Sequence, residues 1–157
     1  MSTLRHWSVR HARSLERVYV AVQRGLIALG PLFAKLGYGR VEPTVAAVES
    51  GVKGLLFDCK MCGQCILSDT GMSCPMNCPK RLRNGPCGGV RPNGHCEVRP
   101  EMKCVWVAAW EGAQRLADGR DDILRLQPAL DHRLWGSSSW LRVAREKRAR
   151  EPPLAHG

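Results

Sequence analysis

The feature that most constrains this chain is its set of eight cysteines, which all lie in one stretch of the sequence. They are Cys59, Cys62, Cys65, Cys74, Cys78, Cys87, Cys96 and Cys104. Cysteines with a purely structural role scatter through a chain, whereas such clustering is typical of a metal-binding segment. Eight also makes two complete sets of four thiolates, the number that one zinc ion or one four-iron cluster takes. The pattern therefore predicts two metal sites, with all eight cysteines as ligands.

The stretch that holds the cysteines needs cross-links to keep a fixed shape. Residues 58–104 contain glycine or proline at short intervals, which excludes a helix of ordinary length. A segment of this composition buries too little apolar surface to offset the conformational entropy that it loses on folding. Metal coordination supplies such cross-links in small domains. Within the stretch, Asn93-Gly94 predicts a tight turn that pairs residues 89–91 with residues 96–98.

Three kinds of cross-link are compatible with eight cysteines. Cys59, Cys62 and Cys65 form a run with a spacing of three, which is typical of three ligands of one iron–sulfur cluster. Zinc sites are usually built from two separate C-x2-C pairs, and no second pair follows this run. We therefore favour two [4Fe–4S] clusters over one cluster plus zinc, or two zinc ions, and place disulfides last. The fourth partner of the first three cysteines stays open among the other five.

The sequence predicts a cytoplasmic protein. No run of apolar residues reaches the length that a membrane-spanning helix needs. Arg5, Arg10 and Arg13 interrupt the N-terminal region, and no apolar core followed by a small-residue cleavage site is present. Thiols stay reduced in the cytosol, which is why disulfides come last among the three alternatives.

The charge of the chain points to a protein partner. Its formal net charge is +10 at pH 7 with the cysteines counted as neutral. Two four-thiolate metal sites, each with a net charge of about −2, lower this total to about +6. We expect the remaining basic surface to dock an acidic protein face or an anion. Basic runs do not alternate with aromatic residues and no nucleic-acid-binding motif is present, so no nucleic acid is expected as a partner.

Helical patterns precede the cysteine stretch. Residues 4–29 carry an apolar stripe with the helical period, which ends at Gly30-Pro31. The stripe consists of Leu15, Val18, Tyr19, Val22, Leu26 and Leu29. A short helix is predicted at 31–36, and Pro43 predicts the start of another over residues 44–52. Residues 54–57 fit either a buried strand or the end of a helix.

A further helix is predicted over residues 105–117, with Trp106 and Trp110 on one face, where it closes one side of the metal core. The expected fold class is mainly α, with a cysteine-rich, loop-dominated metal-binding core and little β beyond a short hairpin. Three parts are expected. Residues 1–57 form an N-terminal helical segment that docks a partner, 58–141 a cysteine-rich metal-binding domain with its flanking helix, and 142–157 a basic tail.

The cysteine stretch resembles a known family. The resemblance is carried by FDCKMCGQC at 57–65, TGMSCPMNCPK at 70–80, RNGPCGGV at 83–90, NGHCEV at 93–98 and CVW at 104–106. These words are similar to the cysteine-rich domain associated with bacterial methylenetetrahydrofolate reductases, which in some bacteria is a separate small subunit. The stretch LWGSSSW at 134–140 resembles the end of that family's domain. The resemblance covers about half of the chain.

The resemblance implies an auxiliary iron–sulfur subunit in one-carbon metabolism. Its partner is then a flavin-dependent catalytic subunit that reduces methylenetetrahydrofolate, with the flavin bound to that partner. The clusters relay electrons to or from the flavin, and the subunit docks an electron-donor protein. The alternative is a structural or docking subunit that holds zinc or redox-silent clusters and transfers no electrons.

Catalysis by this chain alone is not expected. Its five histidines are dispersed, and no nucleophile elbow, phosphate-binding loop or zinc-protease motif is present. A catalytic barrel needs about 250 residues, whereas the chain has 157. Any oxidoreductase activity is therefore expected to belong to a complex.

Overall fold

The computed structural model describes residues 3–117 and 119–150, and they form a mainly helical fold, as the sequence predicts. The helices in chain order are α1 (Thr3–Arg10), α2 (Ala12–Ala28), α3 (Gly30–Leu36), α4 (Tyr38–Phe57), α5 (Val105–Ala113), α6 (Gly119–Asp122) and α7 (Ser139–Arg150). Two short 3₁₀ helices cover Pro75–Asn77 and His132–Leu134. Among these residues, no helix is long and apolar enough to cross a membrane.

The predicted helix over residues 4–29 is divided at His11. The backbone of His11 has φ −104° and ψ 25°, and its imidazole Nδ1 lies 2.9 Å from the carbonyl oxygen of Trp7. Because of this division, the two helices pack against different parts of the chain. Helix α1 packs on α4 and α5, whereas α2 packs mainly on α7. Only part of the apolar stripe is used inside the chain: Leu15 and Tyr19 pack against the core, and Val18 is exposed.

Helix α4 is longer than the predicted helix at both ends. It begins at Tyr38, and Pro43 lies inside it, where the missing N–H of the proline costs one intrahelical hydrogen bond. Residues 54–57 are the end of this helix and not a strand. Asp58 then adopts a left-handed conformation, with φ 52°, and the N–H of Cys59 donates to the carbonyl oxygen of Lys53 at 3.2 Å. The helix therefore delivers the chain directly into the first cysteine.

The cysteine stretch is built of loops, and its core lies under the N-terminal helices. Phe57, Cys62, Met72 and Cys74 are buried together with Ala12 of α2. The predicted hairpin is present but shorter than expected, since Val90 and Cys96 form an isolated antiparallel bridge. Gly94 occupies the turn with φ +78°, a conformation that glycine adopts without strain.

The C-terminal part of the described chain returns to the N-terminal helices. Residues 142–150, predicted to begin a basic tail, belong to α7, which packs against α2 and α4. This packing buries Leu141 and Ala144. The last seven residues of the predicted tail, 151–157, lie outside the described residues. The division into three parts stays a prediction.

Candidate metal centre

Four of the eight cysteines line one cavity at the C-terminal end of α4. Cys59, Cys62 and Cys65 come from the loop that follows the helix, and Cys74 directly precedes the 3₁₀ helix Pro75–Asn77. Cys62 and Cys74 are buried, and the other two are half-buried. Cys74 is therefore the cysteine that the fold adds to the three whose spacing predicts a shared site.

The loop bends sharply enough to bring these residues together. Asp58 and Met61 have φ values of 52° and 48°, and Gly63 has φ 72°. Residues in the left-handed region reverse the chain within a short distance, and they are uncommon among non-glycine residues. The backbone N–H of Met61 donates to the Cys59 sulfur at 3.4 Å. This loop thus offers an N–H group to sulfur as well as three thiols to the cavity.

Residues 134–142, near the C-terminus, pack against this loop and form hydrogen bonds with it. The N–H of Gly136 donates to the carbonyl oxygen of Met61 at 2.7 Å, and the guanidinium of Arg142 donates to that of Gly63 at 2.9 Å. A Cβ atom on Gly63 would overlap the carbonyl group of Leu134, so the two segments approach backbone to backbone. The stretch that resembles the end of the family's domain therefore buttresses the first three cysteines.

The thiols of Cys59 and Cys74 share a hydrogen bond that separates their acidities. The bond from Cys74 lowers the pKa of Cys59 to about 7, and the same bond, with burial, raises the pKa of Cys74. Burial also raises the pKa of Cys62, against a backbone N–H from Gln64. Metal ligation requires thiolates, and the lowered pKa makes the thiolate of Cys59 accessible near neutral pH.

A buried ion pair forms another wall of the same cavity. The ammonium of Lys53 donates to Glu49 Oε1 at 2.6 Å and to Ser139 Oγ at 2.8 Å, and its side chain is 1% exposed. Burial lowers the pKa of Lys53, but the nearby Cys65, Tyr19 and Glu49 raise it, and the pKa lies above its usual range. A fixed positive charge therefore lies beside the cysteines.

Glu49 connects this ion pair to the start of α7. Its Oε2 accepts hydrogen bonds from Ser138 Oγ at 2.6 Å and from the N–H of Trp140 at 3.3 Å. Its Oε1 also accepts from the hydroxyl of Ser139. These hydrogen bonds hold the carboxylate at the N-terminal end of α7, where the helix dipole favours a negative charge.

The remaining cysteines gather around the hairpin. Cys96 is buried in a small apolar cluster against which Cys78 packs. Cys87 and Cys96 both lie near Lys80, whose pKa is raised mainly by a hydrogen bond to Glu97 and further by these two cysteines. Cys78 and Cys96 thus pack together, and Cys87 lies near enough to Lys80 to influence it.

Cys104 joins these cysteines through the backbone. Its N–H donates to the carbonyl oxygen of Gly94 at 3.0 Å, and His95 and Lys103 form an antiparallel bridge. Residues 94–96 therefore pair with residues 102–104, with Cys104 opposite Gly94 and Cys96 opposite Met102, so both cysteines belong to one short pairing. Four cysteines thus line the α4 cavity, and the other four lie in residues 78–104, the segment that contains the hairpin.

The four sulfur donors of the first set are of a kind that binds metal, but their side chains must move before a cluster fits between them. In residues 3–117 and 119–150, no group of three or more His, Cys, Asp or Glu side chains is placed to hold a metal ion, and all eight cysteines are free thiols. The cavity encloses about 20 Å³, room for one water-sized or ion-sized group. Four sulfur donors suit zinc or an iron–sulfur cluster. A cluster is larger than this cavity, so the cysteine side chains must turn outward to admit it.

Sequence reasoning missed Glu49 and Lys53. The available signal was an acid and a base four residues apart on the helical stretch that leads into Cys59. Such a pair usually lies on a solvated helix face, so only the packing of α7 over it reveals its burial. Lys80 and Lys103, two other lysines close to cysteines in the sequence, form ion pairs with Glu97 and Glu111.

Comparison with known proteins identifies the larger part of the chain. A family model described as methylene-tetrahydrofolate reductase C terminal matches residues 38–133. The match begins with α4, includes all eight cysteines and covers more than half of the chain. No curated protein and no solved structure matches the chain.

Proposed function

The chain belongs to the methylene-tetrahydrofolate reductase C-terminal family, and from this premise we propose that it is the iron–sulfur subunit of a flavin-dependent methylenetetrahydrofolate reductase complex. In this proposal it relays electrons to or from the flavin of its partner and docks the electron donor. The observation that supports it most is the convergence of Cys59, Cys62, Cys65 and Cys74 on one cavity.

In this proposal the cysteines form two separate cluster sites. The set around the α4 cavity holds one [4Fe–4S] cluster, and Cys78, Cys87, Cys96 and Cys104 hold the other. When bound, such clusters supply one-electron exchange at potentials that depend on nearby charge and hydrogen bonds to sulfur. The Met61 N–H that donates to Cys59 is one such hydrogen bond. The chain itself contributes ligands, backbone donors and a buried cation, and it leaves the folate chemistry to its partner.

The electron count requires both a donor and a flavin. Reduction of the methylene group to a methyl group consumes a pair of electrons and a pair of protons, which the reduced flavin and solvent supply on the catalytic subunit. A separate redox protein then returns the electrons to the flavin one at a time through this chain. No described part of the chain forms a barrel that could bind folate and flavin.

The N-terminal helices offer the surface for the catalytic subunit. Val48, Val52 and Leu55 lie at helical spacing along one face of α4 and are exposed. On the neighbouring face of the same helix, Glu49 and Lys53 are buried beside the first cysteine set. A partner that covers the apolar face therefore lies within one helix diameter, about 10 Å, of the proposed relay.

A zinc-clipped docking subunit is the second candidate. The small volume of the cavity favours it, since a single ion enters with less rearrangement than a cluster does. Zinc at either set would clip the loops together and supply folding energy without any redox change. The partner and the docking face are the same in both candidates.

Metal analysis tests the proposal directly. The chain is purified anaerobically, and iron, acid-labile sulfide and zinc are measured on one sample. About eight irons and eight sulfides per chain, with a reversible one-electron signal, support the relay. About four of each plus one zinc restrict the relay to a single site. Two zincs without sulfide refute the relay and leave the docking subunit.

A further inference from the structure

The buried Lys53 ammonium lies beside the first cysteine set, and the proposed relay does not by itself explain its position. We propose that Lys53, held by Glu49, sets the reduction potential of the centre formed by Cys59, Cys62, Cys65 and Cys74. It does so by stabilising the additional electron of the reduced centre. This inference rests on the proposed function, because it requires a redox-active group at that site.

The position of the ammonium is fixed on several sides. It donates to Glu49 Oε1 at 2.6 Å and to Ser139 Oγ at 2.8 Å, and the phenol oxygen of Tyr19 lies at 3.5 Å. The ring centroid of Trp140 lies 5.0 Å away, within the range of a cation–π contact. These contacts come from α2, α4 and the start of α7. A charge held in this way does not reorient freely when the charge of the centre changes.

The ammonium faces the cysteine cavity. Lys53 and Glu49 line the same cavity as the four thiols. Glu49 directs its second oxygen to the Ser138 hydroxyl and the Trp140 N–H. The pair is neutral as a whole, yet hydrogen-bond donors at the start of α7 offset part of the negative charge of Glu49, so its two charges act unequally on the cavity.

Burial makes this arrangement effective. One electron, supplied by the reduced flavin or the donor protein, changes the charge of a four-thiolate cluster from about −2 to about −3. A nearby cation stabilises the more negative state and so raises the reduction potential. Solvent and salt screen this interaction poorly when the cation is 1% exposed. A purely structural ion pair between α4 and α7 would leave the potential unchanged.

Two substitutions that remove opposite charges distinguish control of the reduction potential from a purely structural role of the ion pair. Lys53→Met removes the positive charge and keeps the length of the side chain, and Glu49→Gln removes the negative charge and keeps an acceptor for α7. The full chain is purified anaerobically, its iron is measured, and the first centre is titrated against potential by electron paramagnetic resonance. At a fixed potential, we expect the reduced-to-oxidised ratio to fall about tenfold in K53M, a shift of about 59 mV for one electron. We expect it to rise in E49Q.

The control is Lys60→Met. Lys60 is adjacent to Cys59 in sequence, but it is exposed and paired with Asp58, so solvent screening should keep its effect well below that of Lys53. Opposite shifts in K53M and E49Q, with little change in K60M, support the inference. If K53M loses its iron, E49Q decides alone: an upward shift supports the inference, and no shift or a downward shift overturns it.

Failure of the inference is distinguishable from failure of the relay. A wild-type chain without iron and sulfide refutes both. A fully loaded chain whose potential is unchanged in both variants, or shifts in the same direction in both, overturns the role of Lys53 and leaves the relay intact.

Discussion

Gly112 of α5 lies directly against the carbonyl group of Gly71 in the cysteine loop, so that a Cβ atom on either residue would overlap the backbone of the other segment. Gly71 also has φ +54°, a conformation that strains other residues. This contact joins the loop between Cys65 and Cys74 to the helix that follows Cys104. It therefore fixes the two cysteine sets relative to each other.

Gly112→Ala is expected to destabilise the protein although alanine favours helices. Overpacking of a buried contact typically costs about 1–3 kcal/mol, which exceeds the helix propensity that alanine adds. The matched control is Gly51→Ala in α4, where the added methyl group meets nothing within 4 Å. This control should gain about 0.5–1 kcal/mol. Anaerobic thermal unfolding of both variants measures the difference, and equal stability would contradict the close approach of Gly112 and Gly71.

Removal of the Glu49 carboxylate alone should cost more than removal of the whole ion pair. Glu49→Ala leaves the Lys53 ammonium buried without its counter-ion, a change that typically costs about 3–5 kcal/mol. Replacing both residues with apolar ones, as Glu49→Leu with Lys53→Met, leaves no buried charge and is expected to recover most of that loss. Denaturant unfolding of the single and double variants checks this. Equal losses would mean that the pair is not buried as a unit.

Iron content should divide the cysteine variants into two groups. Serine at Cys59, Cys62, Cys65 or Cys74 is expected to remove about half of the bound iron, and the same half in each variant. Serine at Cys78, Cys87, Cys96 or Cys104 is expected to remove the other half. Iron analysis gives the amount, and the spectroscopic signal that survives shows which centre was lost. If Cys74→Ser instead shares the surviving signal of Cys78→Ser, the division of ligands is wrong.

The sequence predicts the helices and the clustering of the cysteines because these depend on local pattern. The periodic stripe gives α2, and glycine and proline exclude helices from residues 58–104. The end of α4 stayed ambiguous between strand and helix because four apolar residues carry too little periodicity to decide. The break at His11 was missed, because the separate packing of α1 on α4 and of α2 on α7 is a tertiary effect.

For a similar reason, the sequence alone does not show which cysteine completes the first set. Spacing alone treats the five later cysteines as equal candidates for the fourth ligand, and these are Cys74, Cys78, Cys87, Cys96 and Cys104. The structure selects Cys74 as the neighbour because Met72 and Met76, on either side of it, are buried in the same core as Phe57. Apolar packing around a cysteine, and not its distance in sequence, decides which cavity it faces.

A charge on the exposed face of α4 should weaken association with the catalytic subunit without changing the metal content. Val52 is exposed at the centre of the stripe formed with Val48 and Leu55, and Val52→Asp would place an unpaired carboxylate within the proposed apolar interface. We expect affinity to fall at least tenfold, about 1.4 kcal/mol. Ser50→Asp is the matched control, since it adds the same charge to an exposed position on another face of α4. Binding to the purified catalytic subunit, with iron analysis of each variant, measures both quantities. Equal affinities for the two variants would place the partner on a different surface, because an aspartate at the centre of a buried apolar contact loses solvation that an aspartate outside the contact retains.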